Sequence, residues 1–277
     1  MTFSIVAGSA GGTDFGVAVA SKFLAVGAVV PAAAAGVGAI ATQSYANLGY
    51  RPDGLALLAA GRSAASTLER LTSADEKRET RQAGIVDASG AAATFTGAEC
   101  TPWAGGMTGQ GYAIQGNILT GPQVVEAMER AWLASDSGLP LARRLLAVLS
   151  AGDQAGGDRR GRQSAALLVV TPEGGYGGGS DVFVDVRVDD HPDPVAELAR
   201  LLDLHDIYFG KPDPDSLLDL TGELETEVQT RLATRGFTDA DLEAALATWA
   251  GIENYEERLV PGKIDPVILE KLRERSH

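Results

Sequence analysis

Apolar residues alternate with small or hydroxyl residues along the first part of the chain, and this alternation predicts β-strands. Thr2–Ala7 and Phe15–Ala20 both show the pattern, and the turn-forming residues SAGGTD separate them. Successive side chains of a strand lie on opposite faces, so the two stretches predict a β-hairpin. Phe23–Val30 and Gly36–Thr42 predict two further buried strands that a turn of small residues joins.

The stretch from Phe23 to Ala41 contains no charged residue, so mean hydropathy alone would mark it as a membrane span. Its alanines and glycines, with Pro31 in the middle, favour short buried strands instead. No basic segment precedes it, as one would in a signal peptide. We therefore expect a cytoplasmic protein.

Later segments show apolar residues at helical spacing. The segments LALLAAG and SAASTLERLTSADEKRE predict one pair of helices with Ser63 as an N-cap, and GPQVVEAMERAWLAS and LPLARRLLAVLSAG predict a second pair that begins at Pro122. Strands are predicted in RQAGIVD, AAATFTG, GYAIQGN, QSAALLVV and DVFVDVRV. The glycine-rich segment Thr101–Gly111 is predicted to be a loop that borders a site or serves as a plain connector.

Proline and aspartate mark the domain boundaries. The segment HPDP begins at residue 191, an amphipathic helix PVAELARLLDLHDIYF follows, and KPDPDS ends this linker at residue 216. Three short helices are predicted beyond it, with Thr238 and Asp241 as a capping pair and Asp265-Pro266 before the last one. The predicted organisation is a mixed α+β domain over 1–190, a helix and linker over 191–216 and a small all-α domain over 217–277.

The composition narrows the classes of function. The 277 residues carry a formal net charge of −14, which repels nucleic acid and anionic membrane surfaces. The single cysteine, Cys100, excludes an intramolecular disulfide, and the three histidines lack the spacing of a zinc site. We expect no metal, no organic cofactor, no nucleic-acid partner and no membrane partner.

Thr2 is the first candidate for chemistry. A start methionine is normally removed before a small residue, which would leave Thr2 with a free α-amine. Such an amine has a pKa of about 8 and can accept the proton of the threonine's own hydroxyl, an established way to activate a weak nucleophile. The alternative is an ordinary threonine in a strand.

A resemblance to a known family supports the first interpretation. The segments TFSIVA, GVAVASKFLAVGAVVP, GVGAIATQSYAN, CTPWAG, QGN and GGDRRGRQSAALLVV resemble the family catalogued as domain of unknown function 1028. That family is grouped with the N-terminal-nucleophile hydrolases. The resemblance implies a four-layer αββα sandwich of two antiparallel sheets, an amide substrate that is a small molecule or peptide, and a homo-oligomer that stacks face to face.

Two further residues enter through this resemblance. Lys22, the only lysine before residue 77, would tune the Thr2 amine as an active-site lysine does in threonine hydrolases of the proteasome type, although Ser21 stands where those enzymes carry an aspartate. Asn117 in QGN would donate to the developing oxyanion, a role that backbone N–H groups of the glycine-rich loops could also fill. The alternative for Lys22 is a solvent-facing residue at a strand end.

Arg159, Arg160 and Arg162 form the densest basic cluster of this acidic chain, with Asp158 beside them. Guanidinium groups bind carboxylates bidentately, so the cluster predicts recognition of an acidic substrate group. An ion-pair network that fixes the loop or a subunit contact is the alternative.

The sequence leads to two functions. The first is an amide hydrolase with Thr2 as nucleophile, whose substrate is an acylated amino acid, a small peptide or a peptidoglycan fragment. The second is a non-catalytic binding or assembly module. The C-terminal helices resemble the peptidoglycan-binding-like module attached to some members of the same family, and this makes the tail the recognition part.

Overall fold

The computed structural model describes residues 2–274 and divides into two compact units between Leu201 and Leu202. The N-terminal unit combines helices with antiparallel sheets, and the C-terminal unit is mainly helical. Each unit has its own buried apolar core. The predicted α+β class is therefore confirmed, with eight α-helices in the described part of the chain. None of these helices is long and apolar enough to cross a bilayer.

Ten strands of the N-terminal unit form two antiparallel sheets. Their bounds are β1 Thr2–Gly8, β2 Phe15–Ser21, β3 Pro31–Ala34, β4 Gly38–Ser44, β5 Arg81–Asp87, β6 Ala92–Thr96, β7 Gly105–Gly109, β8 Tyr112–Asn117, β9 Ser164–Val170 and β10 Val182–Val188. The six-stranded sheet has the order β10-β9-β2-β1-β8-β7, and the four-stranded sheet has the order β3-β4-β5-β6. Strand β1 is thus internal to its sheet, between the hairpin partner β2 and strand β8.

The two sheets face each other, since β1 contacts β4 and β5 and β8 contacts β5. Val6, Val17, Ala39, Val86 and Ala113 are fully buried in one apolar cluster between them. Alternation along each strand directs these side chains to the shared layer. The hydrophobic pattern of β1 and β2 therefore indicates strands that are buried on both faces.

Helices contact both sheets. Helices α1 (Tyr50–Ala59) and α2 (Ala64–Ser73) contact β4 and β5, whereas α3 (Gln123–Ala134) and α4 (Leu141–Gln154) contact β8 and β1. Ser63 caps α2, as predicted, because its hydroxyl accepts the backbone N–H of Ser66. The next helix, α5, runs from Pro194 to Phe209.

Two predicted segments differ in the structure. Phe23–Val30 is not a strand but a loop with a single 3₁₀ turn at Val26–Ala28, and the strand starts only at Pro31. Proline is tolerated at the first position of an edge strand, and β3 is such a strand. The predicted loop Thr101–Gly111 contains the edge strand β7. A side chain at Gly106 would clash with the backbone oxygen of Ile114, so β7 needs glycine there.

The C-terminal unit contains α6 (Gly222–Thr234), α7 (Leu242–Glu253) and α8 (Pro266–Arg273), with short strands β11 (Leu218–Asp219) and β12 (Lys263–Ile264). The three predicted helices are confirmed, and the small strand pair was not predicted. Asp241 caps α7 and Asp265 caps α8 through their carboxylates. Thr238 and Asp241 were predicted to cap α7 as a pair. In the structure the cap is the carboxylate of Asp241, and the Thr238 hydroxyl takes no part in it.

A half-buried carboxylate, that of Asp75, connects α1 and the chain after α2 to β5. Asp75 accepts hydrogen bonds from Arg81 Nε at 2.9 Å, Asn47 Nδ2 at 2.8 Å, Tyr50 Oη at 3.1 Å and the backbone N–H of Lys77 at 2.9 Å. Burial raises the pKa of this carboxyl, but the hydrogen bonds outweigh burial and hold the pKa well below its usual range.

We expect this carboxylate to make stability depend on acid pH. Its folded-state pKa is depressed, so its contribution is present above the unfolded pKa of about 4 and is lost as pH falls below that value. Asp75→Ala should cost about 3 kcal/mol at pH 7, because it leaves Arg81 without its partner. Urea unfolding between pH 7 and pH 3 should show the difference from wild type shrinking. The exposed Glu69→Ala is the control, and a difference that stays constant with pH would contradict this prediction.

Candidate functional site

Thr2 opens β1, and three polar side chains meet there. Thr2 pairs with Asn117 of β8, and Ser21 ends β2 next to Ala20, which pairs with Phe3. Residues that pair across antiparallel strands lie on one face of the sheet, so the three side chains share the inter-sheet face. The hydroxyl oxygens of Thr2 and Ser21 are 3.2 Å apart. Thr2, Ser21 and Asn117 are 5%, 2% and 1% exposed, so this is a buried polar site.

The register also positions the backbone nitrogen of Thr2. Gly8 donates its N–H to the oxygen of its partner Gly111 at 3.0 Å. Hydrogen-bonded and non-hydrogen-bonded pairs alternate along an antiparallel ladder, and Thr2–Asn117 lies an even number of steps from Gly8–Gly111. The Thr2 nitrogen therefore faces the Asn117 carbonyl oxygen.

Gln82 of β5 fixes the orientation of the Asn117 amide. Its Nε2 donates to the carbonyl oxygens of Gly116 at 2.8 Å and Gly105 at 3.3 Å, and these atoms can only accept. The Oε1 atom of Gln82 is therefore the acceptor for Asn117 Nδ2, at 2.9 Å. One N–H of Asn117 is engaged and a second stays available, while its Oδ1 atom is buried without a partner among residues 2–274.

Further glutamines connect the two sheets. Gln115 Nε2 donates to Ser4 Oγ at 2.6 Å, and Ser4 Oγ donates to Gln43 Oε1 at 2.7 Å. Gln43 Nε2 in turn donates to Gln82 Oε1 at 2.8 Å and to the Thr2 carbonyl at 3.3 Å. The inter-sheet polar network comprises Ser4, Gln43, Gln82, Gln115 and Asn117. Such buried networks are strong in a low dielectric and specify a single packing arrangement.

Sequence reasoning named Thr2 and Asn117 as candidates but missed the other members of the network, which are Ser4, Gln43, Gln82 and Gln115. A signal was present, since β4, β5 and β8 each carry one glutamine among apolar and small residues. Gly84 is part of the same arrangement, because a side chain there would come within 1.9 Å of Gln115 Oε1. The side chain of Gln115 therefore fills the space next to Gly84 that a larger residue at position 84 would occupy.

Two non-glycine residues beside the network have left-handed backbones. Ile118, with φ of 51°, follows Asn117, and Ser44, with φ of 66°, follows Gln43. A β-branched residue is rarely found in this region, which costs roughly 1–3 kcal/mol. Strain of this kind concentrates where a fold holds functional side chains, and here it lies at the ends of the two strands that carry Asn117 and Gln43.

Lys22 is exposed and directly follows Ser21. Its backbone N–H donates to Asp158 Oδ2 at 2.7 Å, and its ammonium donates to the Arg162 carbonyl at 3.2 Å. The structure thus brings the lysine against the arginine loop, Asp158–Gln163. Its effect on the amine of Thr2 stays a prediction.

The three arginines of this loop differ in their partners. Arg162 Nε donates to Asp153 Oδ1 at 2.8 Å, and this hydrogen bond raises the pKa of the guanidinium. Arg160 Nη2 lies 3.5 Å from the Asp158 carboxylate. Arg159 donates its backbone N–H to the Ile118 carbonyl at 3.3 Å, and no ion pair of its side chain occurs within the described chain.

Other candidate centres do not join this site. Cys100 is buried, its Sγ donates to the Arg81 carbonyl at 3.3 Å, and burial raises the pKa of its thiol, which disfavours the reactive thiolate. A cavity of about 790 Å³ beside Tyr50 and Asp75 shares no residue with the inter-sheet polar network. Across residues 2–274, no group of three or more His, Cys, Asp or Glu side chains could hold a metal ion.

Comparison with known proteins identifies the family. Residues 2–198 match the model of a family of unknown function, DUF1028. The chain belongs to this family. A crystal structure of a DUF1028 protein from Silicibacter pomeroyi is 31% identical, with a TM-score of 0.66 over 82% of this chain and 92% of that chain. The part of the chain that contains Thr2, Asn117 and the arginine loop is therefore the DUF1028 domain.

The C-terminal unit has a match of its own. Residues 208–272 match a family model described as "Putative peptidoglycan binding domain". No curated protein matches the chain. The DUF1028 domain thus precedes a peptidoglycan-binding-like domain, and neither match names a reaction.

We expect Gln82→Leu to loosen the site of the DUF1028 domain. The variant removes the acceptor of Asn117 Nδ2 and the donor to the Gly116 carbonyl, and each unpaired buried group costs about 1–3 kcal/mol. Urea unfolding should therefore show a loss of at least about 2 kcal/mol. Gln110→Leu is the control, because Gln110 is exposed and makes a single hydrogen bond to the Ser89 carbonyl. Equal stability of the two variants would contradict the role of Gln82.

Proposed function

We propose that this protein is an amide hydrolase whose nucleophile is the hydroxyl of Thr2. The observation that carries the proposal is the juxtaposition of that hydroxyl with the Ser21 hydroxyl and with an Asn117 amide that Gln82 orients. A reactive oxygen and an oriented hydrogen-bond donor are the two parts that acyl transfer requires. Both are buried, and electrostatic interactions are strong at buried positions.

The mechanism requires a free α-amine on Thr2, which cleavage of the preceding peptide bond would create. The amine accepts the hydroxyl proton while Oγ1 attacks the substrate carbonyl carbon. The second N–H of Asn117 Nδ2 stabilises the oxyanion. The C–N bond then breaks, the leaving amine takes the proton, and water hydrolyses the ester to release the acid. The protein supplies each of these groups itself.

The packing of the DUF1028 domain supports the finer assignment to an N-terminal-nucleophile hydrolase-like αββα sandwich. Helices α1 and α2 contact one sheet, helices α3 and α4 contact the other, and the sheets contact each other. In this proposal Lys22 tunes the amine, and the arginine loop recognises an acidic group of a small-molecule or peptide substrate. The cytoplasm as location and a homo-oligomer belong to the same proposal.

The first test is chemical and needs no knowledge of the substrate. Intact mass and N-terminal sequencing of protein taken from cells should show a chain that begins at Thr2. A β-lactone probe should then acylate one site per chain, because the Thr2 oxygen attacks the lactone carbonyl and the ring oxygen leaves with the proton. Peptide mapping should place the label on Thr2. A blocked or extended terminus, with no label on Thr2, would reject the proposal.

The alternative is a non-catalytic binding module, and the match of residues 208–272 favours it. In that case the C-terminal unit binds peptidoglycan fragments, and the DUF1028 domain serves as a scaffold or assembly unit. Sedimentation with insoluble peptidoglycan tests the binding. Sedimentation by a protein whose Thr2 cannot be acylated would favour this alternative over the hydrolase.

A further inference from the structure

The arginine loop and the end of β2 are joined by one buried carboxylate. Asp158, whose side chain is 3% exposed, accepts the backbone N–H groups of Lys22 at 2.7 Å and Arg160 at 2.8 Å. On the other side of Thr2, Asp158 pairs with Leu119, just after Asn117. The loop therefore lies between the ends of β2 and β8, the two strands that flank Thr2.

The four cationic side chains of this junction differ in whether they have a carboxylate partner. Arg160 and Arg162 have carboxylate partners in Asp158 and Asp153, so their charges help to hold the loop. The side chains of Lys22 and Arg159 are exposed and form no ion pair with residues of the described chain. Lys22 directly follows Ser21, and the backbone N–H of Arg159 donates to the Ile118 carbonyl, so the two residues lie in chain segments next to the Thr2 site. On a chain of net charge −14, such local positive charge is what an anionic substrate requires.

Exposed apolar side chains accompany these cations. Phe23 and Leu24 directly follow Lys22 and are 51% and 60% exposed. The Phe23 carbonyl accepts a hydrogen bond from Oγ of Ser164, the residue that follows the arginine loop. Tyr45, 71% exposed, lies two residues after Gln43 of the inter-sheet polar network. Single exposed apolar residues are normal. Here three of them lie within three positions, along the chain, of Ser21 or Gln43.

We infer that the Thr2 site takes small amides that carry both a free carboxylate and an apolar group, of which N-acylated apolar amino acids are the simplest class. Arg159 binds the carboxylate, Lys22 adds to the positive potential, and Phe23 with Leu24 packs against the apolar part. Arg160 and Arg162 keep the loop in place and do not bind substrate. This inference rests on the proposed function and narrows its substrate.

Two matched β-lactone probes test the inference, one with a carboxylate at the end of an apolar chain and one with a carboxamide at the same position. The wild-type protein should be acylated at Thr2 about 10- to 100-fold faster by the carboxylate probe, since hydrogen bonds to charged groups contribute that much. Arg159→Gln should reduce this preference to nearly one, because the carboxylate of the probe loses its guanidinium partner. Arg62→Gln, which removes an exposed arginine after α1, should keep the preference.

The outcomes separate this inference from the proposed function. Equal acylation of Thr2 by both probes in the wild-type protein would overturn the inference and leave the hydrolase proposal standing. A carboxylate preference that persists in Arg159→Gln would overturn the assignment to Arg159. If neither probe labels Thr2, the proposed function fails, and the inference fails with it.

Discussion

Thr2→Ala is expected to abolish covalent labelling by the β-lactone probe while the protein stays folded. The variant removes the attacking oxygen, and loss of a nucleophile lowers the rate of acyl transfer by at least about 1,000-fold. The folded state loses one hydrogen bond, to Ser21, which contributes only about 1 kcal/mol. The second-order rate constant of acylation, with urea unfolding in parallel, separates the chemical loss from a loss of stability.

Two matched variants make this experiment decisive. Thr2→Ser keeps a hydroxyl at the same position and should retain measurable labelling. Thr13→Ala removes the hydroxyl of an exposed threonine in the turn between β1 and β2 and should label at the wild-type rate. Labelling that persists in Thr2→Ala would assign the reactive group to another residue and remove the basis of the proposed mechanism.

Much of the fold could be predicted from the sequence because local patterns agree with tertiary structure there. The hairpin of β1 and β2 follows from alternation plus a turn, and the three C-terminal helices follow from apolar spacing and caps. The prediction of a strand over Phe23–Val30 was wrong because this apolar run forms a loop, in which Phe23 and Leu24 are exposed and Val26 and Val30 are buried. Edge strand β7 was missed because glycine lacks a strand signal, although close backbone packing requires it.

From the sequence, single candidate residues of the site could be predicted, but the contacts between residues could not. Thr2 could be proposed from its place in the chain, and Asn117 from a resemblance. The network around them depends on register across two sheets: Gln43, Gln82 and Gln115 come from three strands and meet only when both sheets pack. The same holds for the arginines. Asp158 is their neighbour in the sequence, but only the fold shows that it pairs with Arg160 and that Asp153 pairs with Arg162.

The largest stability effect is expected in the C-terminal unit, at Arg258. Its Nη1 donates to Asp265 Oδ2 at 2.7 Å, its Nε donates to the Ile207 carbonyl at 2.6 Å, and its Nη2 donates to the Asp206 carbonyl. The side chains of Arg258 and Asp265 are 9% and 3% exposed, so this is a buried ion pair. Asp265 also caps α8 through the backbone N–H of Val267, which connects the pair to the last helix.

Arg258→Ala should therefore destabilise the C-terminal unit by about 3–5 kcal/mol, because it leaves a buried carboxylate and two carbonyls without their donor. In a unit of this size each 1 kcal/mol lowers the melting temperature by roughly 4–8 °C. Scanning calorimetry should show its transition lowered by at least about 12 °C. Lys263→Ala is the matched control, since its partner Asp219 is exposed and such surface pairs contribute at most about 1 kcal/mol. Equal melting of the two variants would show that the buried pair does not hold the unit together.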